Sequence, residues 1–415
     1  MPSSRRRLDL DGVRRHLRDH AFERSAGRVG VELEWLAAPA SDPTRACDFS
    51  TVLTASDVAL PNGSRVTFEP GGQPELSSCP FPTIGATCEA VAADLSVFRS
   101  ALARRGVRLI GTGLDPVRRP QRVLDLPRYT AMEAYFASDG DGACGRTMMA
   151  LTAAIQVNVD AGPPEQVDAR WRLAHDLGPV LAASFANSPF RAGRPSGWRS
   201  TRLGNWYEVD RTRTAPAHNG DAASAVDAWS SFVLAANVML IRASELDFVP
   251  VRTPMRFDEW LAGGHALGFP SIDDLDYHVT TLFPPVRPRG WLELRMIDAL
   301  PDPWWRVAVA VAVTLLDDAE ASAIAARAVT GARSLWVEAA RDALAHPFIA
   351  CAARACFDAA LPALARAGAD DLTIELAHDY HERYVSRGRC PADELLDAWR
   401  HDGSLFATGP LVEAP

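Results

Sequence analysis

The sequence predicts an α+β fold, and two observations carry that prediction. Short runs of alternating apolar and polar residues, the pattern of half-buried strands, crowd the first 300 of the 415 residues. After Pro303 the pattern turns almost wholly helical, and this segregation puts helices on one face of a largely antiparallel sheet. With 47% apolar and 23% charged residues, the chain has the composition of a globular protein with a sizeable core. The length allows two or three domains, but an open sheet with insertions can reach it as one unit. A single catalytic unit over 1–415 is therefore expected, with a sheet-bearing core over 28–300 and a mainly helical region over 301–415.

In chain order, strands are expected over 28–35 (RVGVELEW), 65–69 (RVTFE), 107–111, 153–160 (AAIQVNVD) and 291–298 (WLELRMID). Between them, 89–105 carries Val91, Leu95, Phe98 and Leu102 at helical spacing and stops at Gly106. A second helix, 164–186, has Pro in its first turn, and a third, 222–244, follows a Gly-Asp start. Beyond Pro303 helices are expected over 303–318, 320–343, 348–366, 369–386 and 391–400. The stretches 140–145, 187–197 and 282–290, rich in Gly, Pro and Arg, read as loops of the kind that often carry function.

Composition excludes several chemistries. The chain has no lysine, so all 43 basic residues are Arg. Walker P-loops, protein kinases and pyridoxal phosphate enzymes each need a Lys, and none is available. The seven Cys form no CxxC pair, which argues for free cytosolic thiols over a disulfide framework or zinc knuckle. Arg5–Arg7 is followed by Leu8-Asp9-Leu10-Asp11 and no apolar run, so no signal peptide is expected. The longest apolar stretch, from Val307, is too short to span a bilayer. A pI near 5.6 with scattered basic residues leaves no footprint for nucleic acid.

The candidate chemistry lies on the strands. Residues i and i+2 share a face about 7 Å apart, so Glu32 and Glu34 project from one side of VGVELEW while Val31, Leu33 and Trp35 occupy the other. The arrangement recurs: Glu69 closes RVTFE, Gln156 and Asn158 oppose Ile155, Val157 and Val159, and Glu293 and Arg295 oppose Leu292, Leu294 and Met296. In EPGGQPELSS the Gly71-Gly72 turn, flanked by Pro70 and Pro74, returns Glu75 towards Glu69. If these strands share a sheet, each carboxylate pair repels by roughly 2 kcal/mol at an effective dielectric of ~20. Arg, raised carboxylate pKa values or divalent cations must offset that repulsion, and carboxylates beside amide oxygens are hard ligands for magnesium or manganese. On this reading, removing Glu32 or Glu293 relieves repulsion and leaves the fold intact. A basic group (Arg191, Arg194, Arg199, Arg202, Arg287, Arg289) could meet anionic substrates, with Arg202, Arg287 and Arg295 the leading ligands.

Taken in order, VGVELEW, FEPGGQPELSS, RYTAM, TAAIQVNVD, SGWRSTRLGNWYEVD and TTLFPPVRPRGWLELRMID resemble motifs of the plant-type glutamate-cysteine ligases and the wider carboxylate-amine ligase family. Within it the chain is most similar to the actinobacterial branch that serves ergothioneine synthesis. The resemblance implies a glutamine-synthetase-like fold, a curved antiparallel sheet forming a funnel with helices outside. It implies ATP as co-substrate, magnesium at the waist, and L-glutamate and L-cysteine joined through a γ-glutamyl phosphate. It carries Glu32, Glu34, Glu69, Glu75 and Glu293 over as metal ligands, and Gln156 and Asn158 to the side of the metals and nucleotide. Arg287 and Arg295 would face phosphate as catalytic residues, and Arg202 and Trp206 would hold glutamate. The chain departs from the pattern in having Trp35 after the first acidic pair, and its residues beyond Pro303 match little. Competing readings are a ligase with another amine acceptor, a metal-dependent phosphohydrolase and a non-catalytic binding module.

Overall fold

The computed structural model describes residues 8–22, 27–138, 140–218 and 223–406; Arg5–Arg7 and Ala222, named above, lie outside them. Six strands form the main sheet: β1 (Val29–Glu34), β2 (Arg65–Phe68), β3 (Pro74–Ser77), β4 (Ala154–Val159), β5 (Val286–Pro288) and β6 (Leu292–Asp298). Their order is β5-β6-β4-β1-β3-β2, and every neighbouring pair is antiparallel. Val31, Leu33, Ile155, Val157, Leu292 and Leu294 on one side are at most 2% exposed, which identifies the core face.

The chain also forms helices α1 (Ile84–Ala103), α2 (Pro127–Phe136), α3 (Ala143–Leu151), α4 (Val167–Ser184), α5 (Thr201–Glu208), α6 (Ala225–Ala235), α7 (Trp305–Asp317), α8 (Ala319–Ala328), α9 (Trp336–Arg341), α10 (Pro347–Ala360), α11 (Asp371–Arg383) and α12 (Pro391–Asp402), of which α1, α4 and α7 cover the core face. Helix α1 packs on β1, α4 on β6, and α7 on β4. Helix α7 is buried along nearly its whole length because Val and Ala alternate through it, so every side is apolar and small enough for close approach. Helices α8, α9 and α10 pack in turn on α4. One apolar cluster therefore runs from Leu8 through the sheet to Ala392.

Several expectations change. The expected strand at 107–111 does form (Val107–Ile110), but it pairs with Leu36–Pro39 in a separate two-stranded sheet. EPGGQPELSS is more than a turn, because Pro74–Ser77 becomes β3, threaded between β1 and β2. The presumed loop 282–290 contains β5, where Pro288 is tolerated because the strand lies at the sheet edge. The helix expected over 222–244 stops at Ala235, and Leu240–Arg242 pairs instead with Phe248–Pro250. The helix expected over 320–343 is split by Gly331, whose φ of 92° no helix accommodates.

Candidate active site

The sheet register assembles the polar face strand by strand. Glu34 on β1 stands opposite Glu75 on β3, and Glu32 stands opposite Gln156 on β4. Glu293 on β6 lies opposite Asn158 on one side and Arg287 on the other. Glu69 sits where the β2-β3 hairpin turns: its N–H donates to the Gln73 carbonyl at 2.9 Å, and its carbonyl accepts from the Gly72 N–H at 2.8 Å. The φ of Gly72 is 84°, and a Cβ on Gly71 would come within 2.3 Å of the Ala150 carbonyl oxygen, so both glycines are required for this closure.

Glu32, Glu34, Glu69, Glu75 and Gln156 line one cavity of about 300 Å³ together with Arg202, Trp206, Arg287 and Arg295, whereas Glu293 is not part of its lining. Oxygens of Glu34, Glu69 and Glu75 all lie within 4.8 Å of one another. Asn158 stands just behind the lining, donating from Nδ2 to Glu32 at 3.2 Å and accepting from the indole of Trp291 at 3.0 Å. The Glu34 carboxylate is held from behind by Gln156 Nε2 and the Ala154 N–H, each at 2.8 Å. Glu75 accepts from the hydroxyls of Thr67 (2.8 Å) and Ser77 (2.9 Å).

Burial, and then the neighbouring carboxylates Glu293 and Glu75, push the Glu32 carboxyl up to about 7. Burial and then Glu75 do the same for Glu69, also to about 7. Glu34 is raised by burial, Glu69 and Glu75. These three acids are short of compensating positive charge, which is the condition under which a carboxylate cluster attracts protons or a cation.

Glu293 differs. It is fully buried, yet its carboxyl stays well below the usual range because Arg287, Arg295 and Arg289 outweigh the burial. Arg287 Nε donates to it at 2.7 Å, Arg295 Nη1 at 2.7 Å and Arg289 Nη1 at 3.2 Å. Burial in turn brings the Arg287 guanidinium down to about 10. Arg295 also donates to Gln156 Oε1. The expectation that removing Glu293 merely relieves repulsion is thus corrected, since removal would leave buried guanidinium groups unpaired.

The sequence reading passed over part of the lining. Helix α2 supplies Arg128, Tyr129 and Met132, helix α3 supplies Met148 and Met149, and Thr152, Thr280 and Phe283 also line the wall, which Arg289, one of the basic candidates, does reach. RYTAM and TTLFPP were visible as motifs, but nothing in their local pattern assigns those side chains a role. Of the other basic candidates, Arg191 donates to Asn205 and Arg199 pairs with Asp393, both away from the cavity.

Residues 28–413 match the family described as glutamate-cysteine ligase family 2. The glutamate–cysteine ligase EgtA of Mycolicibacterium smegmatis is 40% identical over 375 residues, covering 89% of this chain and 87% of that protein. The chloroplastic glutamate–cysteine ligase of Arabidopsis thaliana is 31% identical over 296 residues, covering 69% of this chain and 55% of that protein. Among solved structures, a glutamate–cysteine ligase from Francisella tularensis in complex with AMP covers 92% of this chain and 87% of that one, at 12% identity and a TM-score of 0.48. With a matching profile over nearly its whole length and relatives of this identity and coverage, the chain belongs to glutamate-cysteine ligase family 2.

Proposed function

We propose that this chain is an ATP-dependent ligase that joins L-glutamate to L-cysteine as γ-glutamylcysteine through a γ-glutamyl phosphate, releasing ADP, and that its product feeds ergothioneine synthesis. One observation carries the reading: Glu34, Glu69 and Glu75 converge within 4.8 Å in the cavity that also holds Arg202, Arg287 and Arg295. Family membership supplies the reaction class. The seven cysteines are all free, and no helix among the described residues is long and apolar enough to cross a membrane; a cytoplasmic location accords with both.

The acids suit a hard divalent cation, because all their donors are oxygens and burial leaves them short of positive charge. Magnesium, with manganese as substitute, would be held by Glu34, Glu69 and Glu75, with Glu32 beside them, and would neutralise the phosphate oxygens. Glu293 could join this set only in competition with the arginines that now occupy both its oxygens. Arg287 and Arg295, fixed by Glu293, offer donors to the transferring phosphoryl group, and Gln156 and Asn158 fix the acids from behind. Arg202 and Trp206 would hold glutamate for in-line attack by its γ-carboxylate. The cysteine amine then displaces phosphate, so no protein nucleophile is needed.

The test is coupled ADP release with magnesium and ATP. ADP should accumulate only when glutamate and cysteine are both present, with a product of the γ-glutamylcysteine mass. Phosphate release without an amine would indicate a hydrolase, and turnover with another amine in preference to cysteine would change the acceptor.

A further inference from the structure

Four donors converge on one buried carboxylate that the motif reading left without a role. Asp298, at 1% exposure, accepts at Oδ2 from the Asn187 N–H (2.9 Å) and the Ser188 hydroxyl (2.8 Å). At Oδ1 it accepts from the Ser200 hydroxyl (2.9 Å) and from Arg202 Nε (2.7 Å).

Strict alternation along β6 would place Asp298 on the core face with Leu292 and Leu294. It lies on the cavity side because the strand bulges. Leu294 pairs with Val157 and Ile297 with Ile155, so β6 advances three residues while β4 advances two. The extra residue reverses the alternation, which leaves Ile297 in the core and brings Asp298 opposite Ala154, a residue of the cavity lining. Bulges of this kind re-aim side chains beside active sites.

The consequence falls on Arg202. Its Nε is held by Asp298 and its Nη2 donates to the Arg295 carbonyl at 3.2 Å, which fixes the plane of the guanidinium. Among the described residues Nη1 has no protein acceptor, and Arg202 lines the cavity. Ser200 couples the same carboxylate to helix α5: its hydroxyl donates to Asp298 and caps the helix by accepting from the Leu203 N–H at 3.2 Å. That helix carries both Arg202 and Trp206, with the guanidinium carbon 6.0 Å from the indole ring centre.

We propose that Asp298 is a positioning residue for the amino-acid substrate: it fixes the plane of Arg202 and the start of α5 so that the free edge of the guanidinium meets a substrate carboxylate. The proposal rests on the reading of Arg202 as a glutamate ligand. A planar fork binds a carboxylate well only at the correct angle, so a loosened Arg202 should weaken glutamate selectively.

The experiment is steady-state kinetics on Asp298→Asn, Arg202→Ala and the double variant. An Asn side chain keeps one carbonyl oxygen for the Asn187 N–H and Ser188 but turns an amide NH2 towards Arg202. Asp298→Asn should raise the KM for glutamate roughly tenfold or more and leave the KM values for ATP and cysteine within about twofold. The double variant should be no worse than Arg202→Ala alone, because the two act as one unit. Equal rises in all three KM values, or additive losses in the double variant, would overturn the proposal. A glutamate KM unchanged in Arg202→Ala removes the site reading itself, whereas a rise there without one in Asp298→Asn removes the positioning role alone. Should Asp298→Asn fail to fold, Arg202→Lys decides: it keeps the charge without the planar fork, and a glutamate KM within about twofold of the parent value overturns the proposal.

Discussion

Two acids on the same face of the sheet, Glu32 half-buried and Glu293 fully buried, have opposite electrostatics, and the difference is set by which strand each neighbours. Glu32 on β1 faces acids and is pushed up to about 7; Glu293 on β6 faces arginines and is held down. Glu32, raised in the fold, contributes stability that is present below its unfolded value near 4.5 and lost as pH rises through about 7. In metal-free protein, Glu32→Gln should therefore raise the melting temperature at pH 8 and change it little at pH 5. Glu293→Gln should lower the melting temperature at both values, by the several degrees that about 3 kcal/mol of unpaired buried charge implies. Scanning calorimetry of both variants in chelator decides this, and a parallel response of the two would refute the division. Both acids were legible as i, i+2 pairs with neighbours on their own strands. The cross-strand partners that separate them were not, because register is a non-local property.

At the level of elements, the site depends on short connections that local pattern describes poorly. The β2-β3 hairpin brings Glu69 and Glu75 together only because its turn lies against α3, with Gly71 over the Ala150 backbone. Gly71→Ala should push the turn outward and separate these acids, cutting turnover at least about tenfold while the far-ultraviolet circular dichroism stays close to that of the parent. Unchanged turnover would show that the contact is not needed for assembly of the site. Helix α5 is supported from the C-terminal side as well: the Ser200 N–H donates to the Ala340 carbonyl at 2.8 Å, and Arg199 Nε pairs with Asp393 at 2.6 Å. Helices whose sequence matched few motifs thus help hold the segment that carries Arg202.

At the level of the whole molecule, one apolar cluster running from Leu8 to Ala392 joins the sheet to the helices beyond Pro303. We therefore infer that residues 1–415 act as one unit, the 28–300 core and the 301–415 region being parts of it. The protein should unfold in one calorimetric transition whose van't Hoff and calorimetric enthalpies agree. Two resolved transitions would separate the helical region from the core.

The sequence by itself determined the α+β class, the strands that carry Glu32, Glu34 and Glu293, the loss of every lysine-dependent chemistry and, through its ordered motifs, the ligase family. Each of these is a property of local periodicity, composition or linear order. Tertiary structure alone decided which acids share a cavity, that Glu293 belongs to arginines, and that a bulge brings Asp298 under Arg202. These follow from strand register and cross-strand distance, and one extra residue in a strand reverses the face of everything after it. That reversal is invisible to an alternating pattern until the partner strand is known.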